Sequence, residues 1–290
     1  MAEPLPLCYL NGEYLPLRDA RISPLDRGFL YSDGAYELVP VYGGRPFRFE
    51  AHAARLTRSL AGIRMEDPHT RAEWHEVLAT LITRNGGGDQ YVYWQVTRGA
   101  EFGRNHAPLP NIPRTVFAFC APLPVTSQSV LENGVECVTA EDTRWAQCDI
   151  KSISLLANVL LRQLAVDANA SETILLRDGE LMEASSSAVH VVIDGQIISP
   201  PNSRKILPGT TRSAMEEVAT QAGIPYKSAR VSEQQLRAAD EVWISAATRE
   251  VQPVTRLDGK PIGSGKPGPV WKRVYEQWTR YKQELAGQPW

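Results

Sequence analysis

The chain has 290 residues, of which 43% are hydrophobic and 22% charged, and its formal net charge is -2. Such a chain is long enough for one large core or two ordinary domains and has the composition of a globular protein. The near balance of charge removes any electrostatic reason to expect nucleic acid or an anionic membrane as a partner.

The first ten residues, Met1-Ala-Glu-Pro-Leu-Pro-Leu-Cys-Tyr-Leu, hold an acid and two prolines where a signal would have an apolar run, and no later stretch approaches a membrane span. The expectation is a cytoplasmic protein. Cys8, Cys120, Cys137 and Cys148 are widely spaced with no Cys-x-x-Cys pair, so neither a zinc site nor a redox motif is expected and no metal ligands are named. Cys148 reads as a small buried hydrophobe.

Residues 7 to 17 alternate about Asn11-Gly12, a two-residue hairpin signal. Asp26-Arg27-Gly28-Phe29-Leu30-Tyr31-Ser32-Asp33-Gly34 is a loop dense in glycine and aspartate that runs into an apolar strand containing Tyr36; such loops often carry function on a rigid frame. Tyr36 either packs beside that strand or faces a ligand. The spacing of Phe49, His52, Leu56 and Leu60 predicts a helix over 48–63 that carries Arg55, ordinarily a solvated position. A second helix over 71–84 is stopped by Asn85-Gly86-Gly87-Gly88 before a strand over 91–97. The following loop to Pro108 is too polar and glycine-rich for core. Its Arg104 and His106 converge on an anion if the backbone is extended, and otherwise stay solvated. A strand over 115–121 and a proline-bearing stretch follow. The expected division is therefore a domain over 1–121, a linker over 122–128 and a second domain over 129–290.

The second half begins with a strand over 134–140 and the segment Arg144-Trp-Ala-Gln-Cys-Asp-Ile-Lys-Ser-Ile-Ser. Only seven of the 31 basic residues are lysine, and Lys151 is the first of them. A chain so partial to arginine keeps lysine where it is merely tolerated or where an amine is needed, because only an amine deprotonates and adds to a carbonyl. Ile153, Leu155, Leu156, Val159, Leu160 and Leu164 have helical spacing, which predicts a helix capped by Ser152 or Ser154 with Lys151 just before it. A positive helix N-terminus there favours the neutral amine. The plainer alternative is a solvated surface lysine.

Strands over 172–176, 180–183, 188–193 and 196–199 form a meander turning at Asp178-Gly179 and Asp194-Gly195. Glu183 stands at a strand end, where a glutamate is usually exposed. Gly209-Thr210-Thr211-Arg212 opens a helix, where free N–H groups, hydroxyls and the helix dipole suit a phosphate, although threonine is also a routine N-cap. A strand over 241–245, a turn over 246–253 and an amphipathic helix over 269–285 complete the chain. An amine, an anion cradle, an acid in a β meander and spare arginines together suggest pyridoxal phosphate.

The motifs Asp26-Arg-Gly-Phe, Asp33-Gly-Ala-Tyr-Glu, Gln95-Val-Thr-Arg-Gly, Arg144-Trp-Ala-Gln-Cys-Asp-Ile-Lys-Ser, Glu183-Ala-Ser-Ser-Ser and Gly209-Thr-Thr-Arg span nearly the whole chain. In them the sequence resembles the fold-type IV, or class IV, pyridoxal-phosphate aminotransferases, most closely the D-amino acid transaminase branch. The resemblance implies an α+β fold, with a small α/β N-terminal domain and a larger β-barrel-like C-terminal domain with helices. It also implies a homodimer whose active sites are shared and lie at the domain boundary. It makes Lys151 the Schiff-base lysine and proton shuttle, and Glu183 the partner of the pyridine nitrogen. Arg55, Gly209, Thr210 and Thr211 become phosphate ligands. Relatives place a threonine next to the phosphate near residue 247, where this chain has Ala246-Ala247, so that contact falls to Thr248. Tyr36, Arg104 and His106 match the set that binds the substrate carboxylate. The activity implied is ping-pong amino transfer between D-amino acids, such as D-alanine and D-glutamate, and 2-oxo acids, such as pyruvate and 2-oxoglutarate. Branched-chain L-aminotransferases and aminodeoxychorismate lyases share the fold and are the alternatives, with a non-catalytic cofactor-binding protein as the alternative of another class.

Overall fold

The computed structural model describes residues 3–286. The chain divides into two compact units, the first comprising residues 3–124 and 150–154, the second Val125–Asp149 and Leu155–Leu285.

In the first unit β1 (Leu7–Leu10) and β2 (Glu13–Pro16) pair antiparallel across Asn11 and Gly12, whose φ angles of 49° and 99° are those of a primed hairpin turn. The chain continues through α1 (Arg27–Tyr31), β3 (Gly34–Tyr42), β4 (Arg45–Pro46), α2 (Phe49–Gly62), α3 (Arg71–Arg84), β5 (Gln90–Thr97) and β6 (Thr115–Pro122). The strands form one antiparallel six-stranded sheet in the order β2-β1-β6-β5-β3-β4. Alternation divides its two faces. Val39, Val92, Trp94 and Val96 are buried in a core with Leu56 and Leu60 of α2 and Trp74, Leu78 and Leu81 of α3. Each such side chain contributes about 1.5–3 kcal/mol by leaving water. Tyr36, Tyr93 and Gln95 point the other way and are half-buried. Thr70 and Glu73 close a capping box at the start of α3.

Residues 150–154 join this unit although the sequence reading groups them with the second half. The reason is backbone pairing: Tyr36 N donates to Lys151 O, Ile153 N donates to Gly34 O, and Ser152 bridges Ala35.

The second unit contains α4 (Gln128–Asn133), β7 (Val135–Glu141), α5 (Leu156–Asp167), β8 (Glu172–Arg177), β9 (Glu180–Ala184), β10 (Ala188–Ile193) and β11 (Gln196–Ser199). These are followed by α6 (Thr210–Gln221), β12 (Tyr226–Ser228), α7 (Glu233–Arg237), β13 (Glu241–Ala246), β14 (Glu250–Leu257), β15 (Lys260–Pro261) and α8 (Pro269–Ala286). Its nine-stranded sheet runs β12-β11-β10-β13-β14-β7-β8-β9, with β15 beside β14. The crossover from β7 to its parallel neighbour β8 contains α5, and that from β11 to parallel β12 contains α6, as parallel pairing requires. Ser185–Ser187 carry the chain from edge strand β9 to interior strand β10, with Ala184 N donating to Ser187 O, so the sheet curls on itself.

Two expectations fail here. The stretch over 246–253, expected as a turn, is largely strand: β13 runs to Ala246, and β14 starts at Glu250 and runs through Pro253, which sits opposite Trp243. The helix expected to follow Lys151 starts only at Leu156, with Leu155 as N-cap residue and no side-chain cap, because Ser152 is committed to Ala35.

Candidate active site

Lys151 is fixed at its root. Its N–H donates to Ser59 Oγ at 3.0 Å and its carbonyl accepts from Tyr36 N at 3.0 Å. Gly34, beside this segment, has no room for a side chain: a Cβ would fall 2.6 Å from Val96 O of β5 and 3.0 Å from Ile153 Cδ1. At the other end of the side chain Nζ lies 4.2 Å from the Tyr36 ring centroid, and among the described residues no carboxylate pairs with it. Tyr36 in turn stacks on Tyr93 at 5.4 Å. With the helix starting at Leu156, the helix-dipole argument for a neutral amine has no basis.

Glu37, the next residue along β3, points to the buried face. Arg55 Nε and Nη2 donate to its two oxygens at 2.7 and 2.8 Å, and His52 Nδ1 lies 2.7 Å from Oε2. Burial alone would raise the Glu37 pKa, but the charge and hydrogen bonds of Arg55, with His52, bring it down to about 2. Burial pushes His52 below the ordinary imidazole range; Glu37 pulls it back, while the charges of Arg55 and Lys151 push it further down. Arg55 is therefore not a solvated face residue, and one edge of its guanidinium belongs to Glu37.

In the second unit Glu183 is 7% exposed, against the expectation for a strand end. The chain folds back over it: Leu207 N donates to both carboxylate oxygens at 3.2 Å and Arg144 Nη1 to Oε1 at 2.5 Å. Arg144 is itself gripped by Asp142 at 2.9 and 3.0 Å, and Arg177 also donates to Asp142 at 2.8 Å. Burial raises the Glu183 carboxyl above the usual carboxylate range, opposed by Arg144 and the Leu207 amide. Behind the next turn lies Glu172, fully buried. It accepts from Ser185 Oγ, from Ser186 Oγ at 2.6 Å, from Ser187 Oγ at 3.1 Å and from Thr173 N at 3.0 Å. Cys148 is buried with its thiol toward Trp145 O, and burial raises its pKa.

Gly209 is the N-cap residue of α6 and supplies no side-chain cap, so the first-turn N–H groups have no intrahelical partner. Thr210 and Thr211 are nearly buried beside them. Thr248 lies half-buried in the turn between β13 and β14.

Arg104 and His106 do gather, around Tyr31. The Arg104 guanidinium lies 5.2 Å from the Tyr31 centroid and the His106 ring 5.6 Å away. Both are exposed, and among the described residues no carboxylate pairs with Arg104. Tyr36 belongs to the Lys151 group instead.

The family profile of amino-transferase class IV matches residues 34–257. The chain belongs to the class IV aminotransferases. Among curated class IV relatives, the D-alanine aminotransferase of Staphylococcus haemolyticus is 36% identical over 274 residues, 94% of this chain and 96% of its own. That of Bacillus licheniformis is 38% identical over 264 residues, 91% of this chain and 93% of its own. Among solved structures, the T.th. branched-chain amino acid aminotransferase with pyridoxamine 5'-phosphate superposes with a TM-score of 0.91 at 28% identity, over 100% of this chain and 96% of that one.

Class IV aminotransferases use pyridoxal phosphate, and the residue types present fit that group: an amine with no ion pair among the described residues, a buried carboxylate at Glu183, and a helix N-terminus with no side-chain cap and two threonines in its first turn. Sequence reasoning missed Arg27, Glu37, His52, Arg144 and Glu172. For Glu37 the signal was present. Period two puts it on the buried face of Val39 and Val41, and helical spacing puts His52 and Arg55 beside Leu56.

Proposed function

We propose that this aminotransferase is a D-amino acid transaminase, moving the amino group between D-amino acids and 2-oxo acids by a ping-pong route. The observation that carries the reading is the likeness to D-alanine aminotransferases at 36 to 38% identity over more than nine tenths of the chain, against 28% for the branched-chain structure of the same fold. When bound, pyridoxal phosphate supplies a carbonyl for the amino group and a ring that accepts the electron pair left at the α carbon. The Lys151 amine takes the proton from the α carbon of the amino acid and returns it during transfer. Glu183, its direction fixed by Arg144 and Leu207 N, would accept from the protonated pyridine nitrogen and favour its charged form. Arg55, Gly209, Thr210, Thr211 and Thr248 would hold the phosphate.

Tyr36, Arg104 and His106 hold the substrate α-carboxylate. Support comes from Arg104, an exposed guanidinium with no anionic partner among the described residues, beside an imidazole. The working form is a cytoplasmic homodimer in which Arg104 serves the neighbouring subunit. Leu156, Val159, Leu160 and Leu164 form an exposed apolar stripe on α5, 46 to 72% accessible, of the kind that marks a protein interface. Among the described residues no helix is long and apolar enough to cross a membrane.

Steady-state assays with D-alanine or D-glutamate as donor, and pyruvate or 2-oxoglutarate as acceptor, test the reading. L-leucine serves as the competing donor. Turnover with L-leucine and none with either D isomer would overturn it.

A further inference from the structure

The loop bearing Arg104 and His106 is held by one buried cation. Arg27 is 3% exposed, and every nitrogen of its guanidinium is engaged: Nε with Asp33 at 2.9 Å, Nη1 with Glu101 at 2.5 Å and Asn105 O at 2.7 Å, Nη2 with His106 O at 3.0 Å. The second oxygen of Glu101 accepts from Leu109 N at 2.9 Å, which draws in the far end of the loop.

Arg27 is itself immobile. Asp26 caps α1 through Gly28 N at 2.7 Å and accepts from Thr97 Oγ1 at 2.8 Å and Thr115 Oγ1 at 2.6 Å, while Arg27 N donates to Gly99 O at 2.9 Å. Residue 28 has to be glycine, because a Cβ there would lie 2.3 Å from Thr97 Cγ2. The Tyr31 ring, 4.6 Å from the Arg27 guanidinium, is the same ring that Arg104 and His106 approach.

The two cations at Tyr31 are thus treated differently. Arg27 has two carboxylates, Asp33 and Glu101; Arg104 has none among the described residues. The bonds from Arg27 to the loop end on the carbonyls of residues 105 and 106, so they fix the path of the chain and leave the side chains of 104 and 106 available. An exposed arginine on an untethered loop would have to be ordered by its ligand, and prior ordering removes that cost.

We propose that Arg27 is a positioning residue for the substrate carboxylate: it clamps the Asn105 and His106 carbonyls and so keeps Arg104 and His106 together. This rests on the reading of that pair given above. Arg27 does not touch the substrate, so its loss acts on KM and leaves kcat and the bound cofactor largely alone.

The test is steady-state kinetics of the holoenzyme with D-alanine and 2-oxoglutarate. Arg27→Met should raise KM for both about tenfold or more, with kcat within about threefold and cofactor content unchanged. In an Arg104→Ala background the same change should add less than about twofold, because the clamp then has no cation to position. An unchanged KM, an equal factor in both backgrounds, or a joint fall of kcat and cofactor content would each overturn the proposal. If Arg104→Ala alone leaves KM unchanged, the carboxylate reading fails first and the proposal with it. If it raises KM and Arg27→Met does not, only the positioning role fails. Should Arg27→Met not fold, Glu101→Gln weakens the same clamp: a smaller rise in KM, absent in the Arg104→Ala background, supports the proposal, and no rise overturns it.

Discussion

Lys151 and Glu183 are held in opposite ways. Lys151 is secured at its backbone, by Ser59, Tyr36 and the Ser152 bridge to Ala35, and its amine lies over the face of Tyr36 with no carboxylate paired to it among the described residues. Glu183 is secured at its head, where a guanidinium and a backbone amide converge on the carboxylate. A group that shuttles a proton needs a fixed root and a mobile tip, whereas a group that stabilises charge needs a fixed tip, since preorganisation of the dipole is what makes it effective. The roles proposed for Lys151 and Glu183 call for those two arrangements.

The largest way to break this contrast is Lys151→Ala. Removing the mobile amine should lower turnover at least about a thousandfold and abolish the visible absorption of bound cofactor, while thermal unfolding barely shifts. Borohydride reduction of the wild type should link the cofactor to the peptide containing Lys151; labelling at Lys205 or Lys227 would end the assignment. Glu183→Gln should be milder. It keeps shape and burial but loses the charge, so the cofactor stays bound and the half-reaction slows on the order of a hundredfold. An unchanged rate would leave Glu183 a structural residue. Arg104→Ala should raise KM for every amino acid about ten- to a hundredfold, as loss of one charge-assisted pair does, with kcat little changed.

A separate effect is on acid stability, and there the two units share a direction. Glu37 sits at about 2 against an ordinary 4.5, so its contribution is present above pH 4.5 and is lost as pH falls toward 2. That amounts to on the order of 3 kcal/mol. In the second unit His190, buried between Ser199 and Ser245, is held down to about 3 by burial and by Arg212. Its contribution is present above pH 6.5 and fades toward pH 3. Urea unfolding followed from pH 7 to pH 3 should show stability falling below about 6.5, and His190→Gln should flatten that limb; identical slopes would refute the assignment to His190.

Much of the frame was legible because turns and periodicity are local. Asn11-Gly12, Asp178-Gly179 and Asp194-Gly195 all adopt the positive φ angles their hairpins need, and Thr70 with Glu73 begins α3. The lysine segment was not legible, because its conformation is set by β3, more than a hundred residues earlier, and not by its own helical spacing. Helical spacing did not show which way α5 turns: Leu156, Val159, Leu160 and Leu164 are exposed, whereas Leu161 is buried. The turn expected over 246–253 failed for a similar reason: residues 250–253 belong to β14, with Pro253 opposite Trp243, a pairing that propensity cannot foresee. Among the site residues, Lys151 stood out by chemistry alone. The groups that orient others, such as Arg27, Glu37 and Arg144, look like ordinary charges until their partners are placed.

The most direct test of the central claim is the isolated half-reaction. Holoenzyme mixed with D-alanine or L-alanine, with no oxo acid present, should convert its bound cofactor to the amine form with the D isomer only, releasing one equivalent of pyruvate per site, and Lys151→Ala should do neither. Conversion by L-alanine alone, or conversion by D-alanine that survives loss of Lys151, would contradict the account.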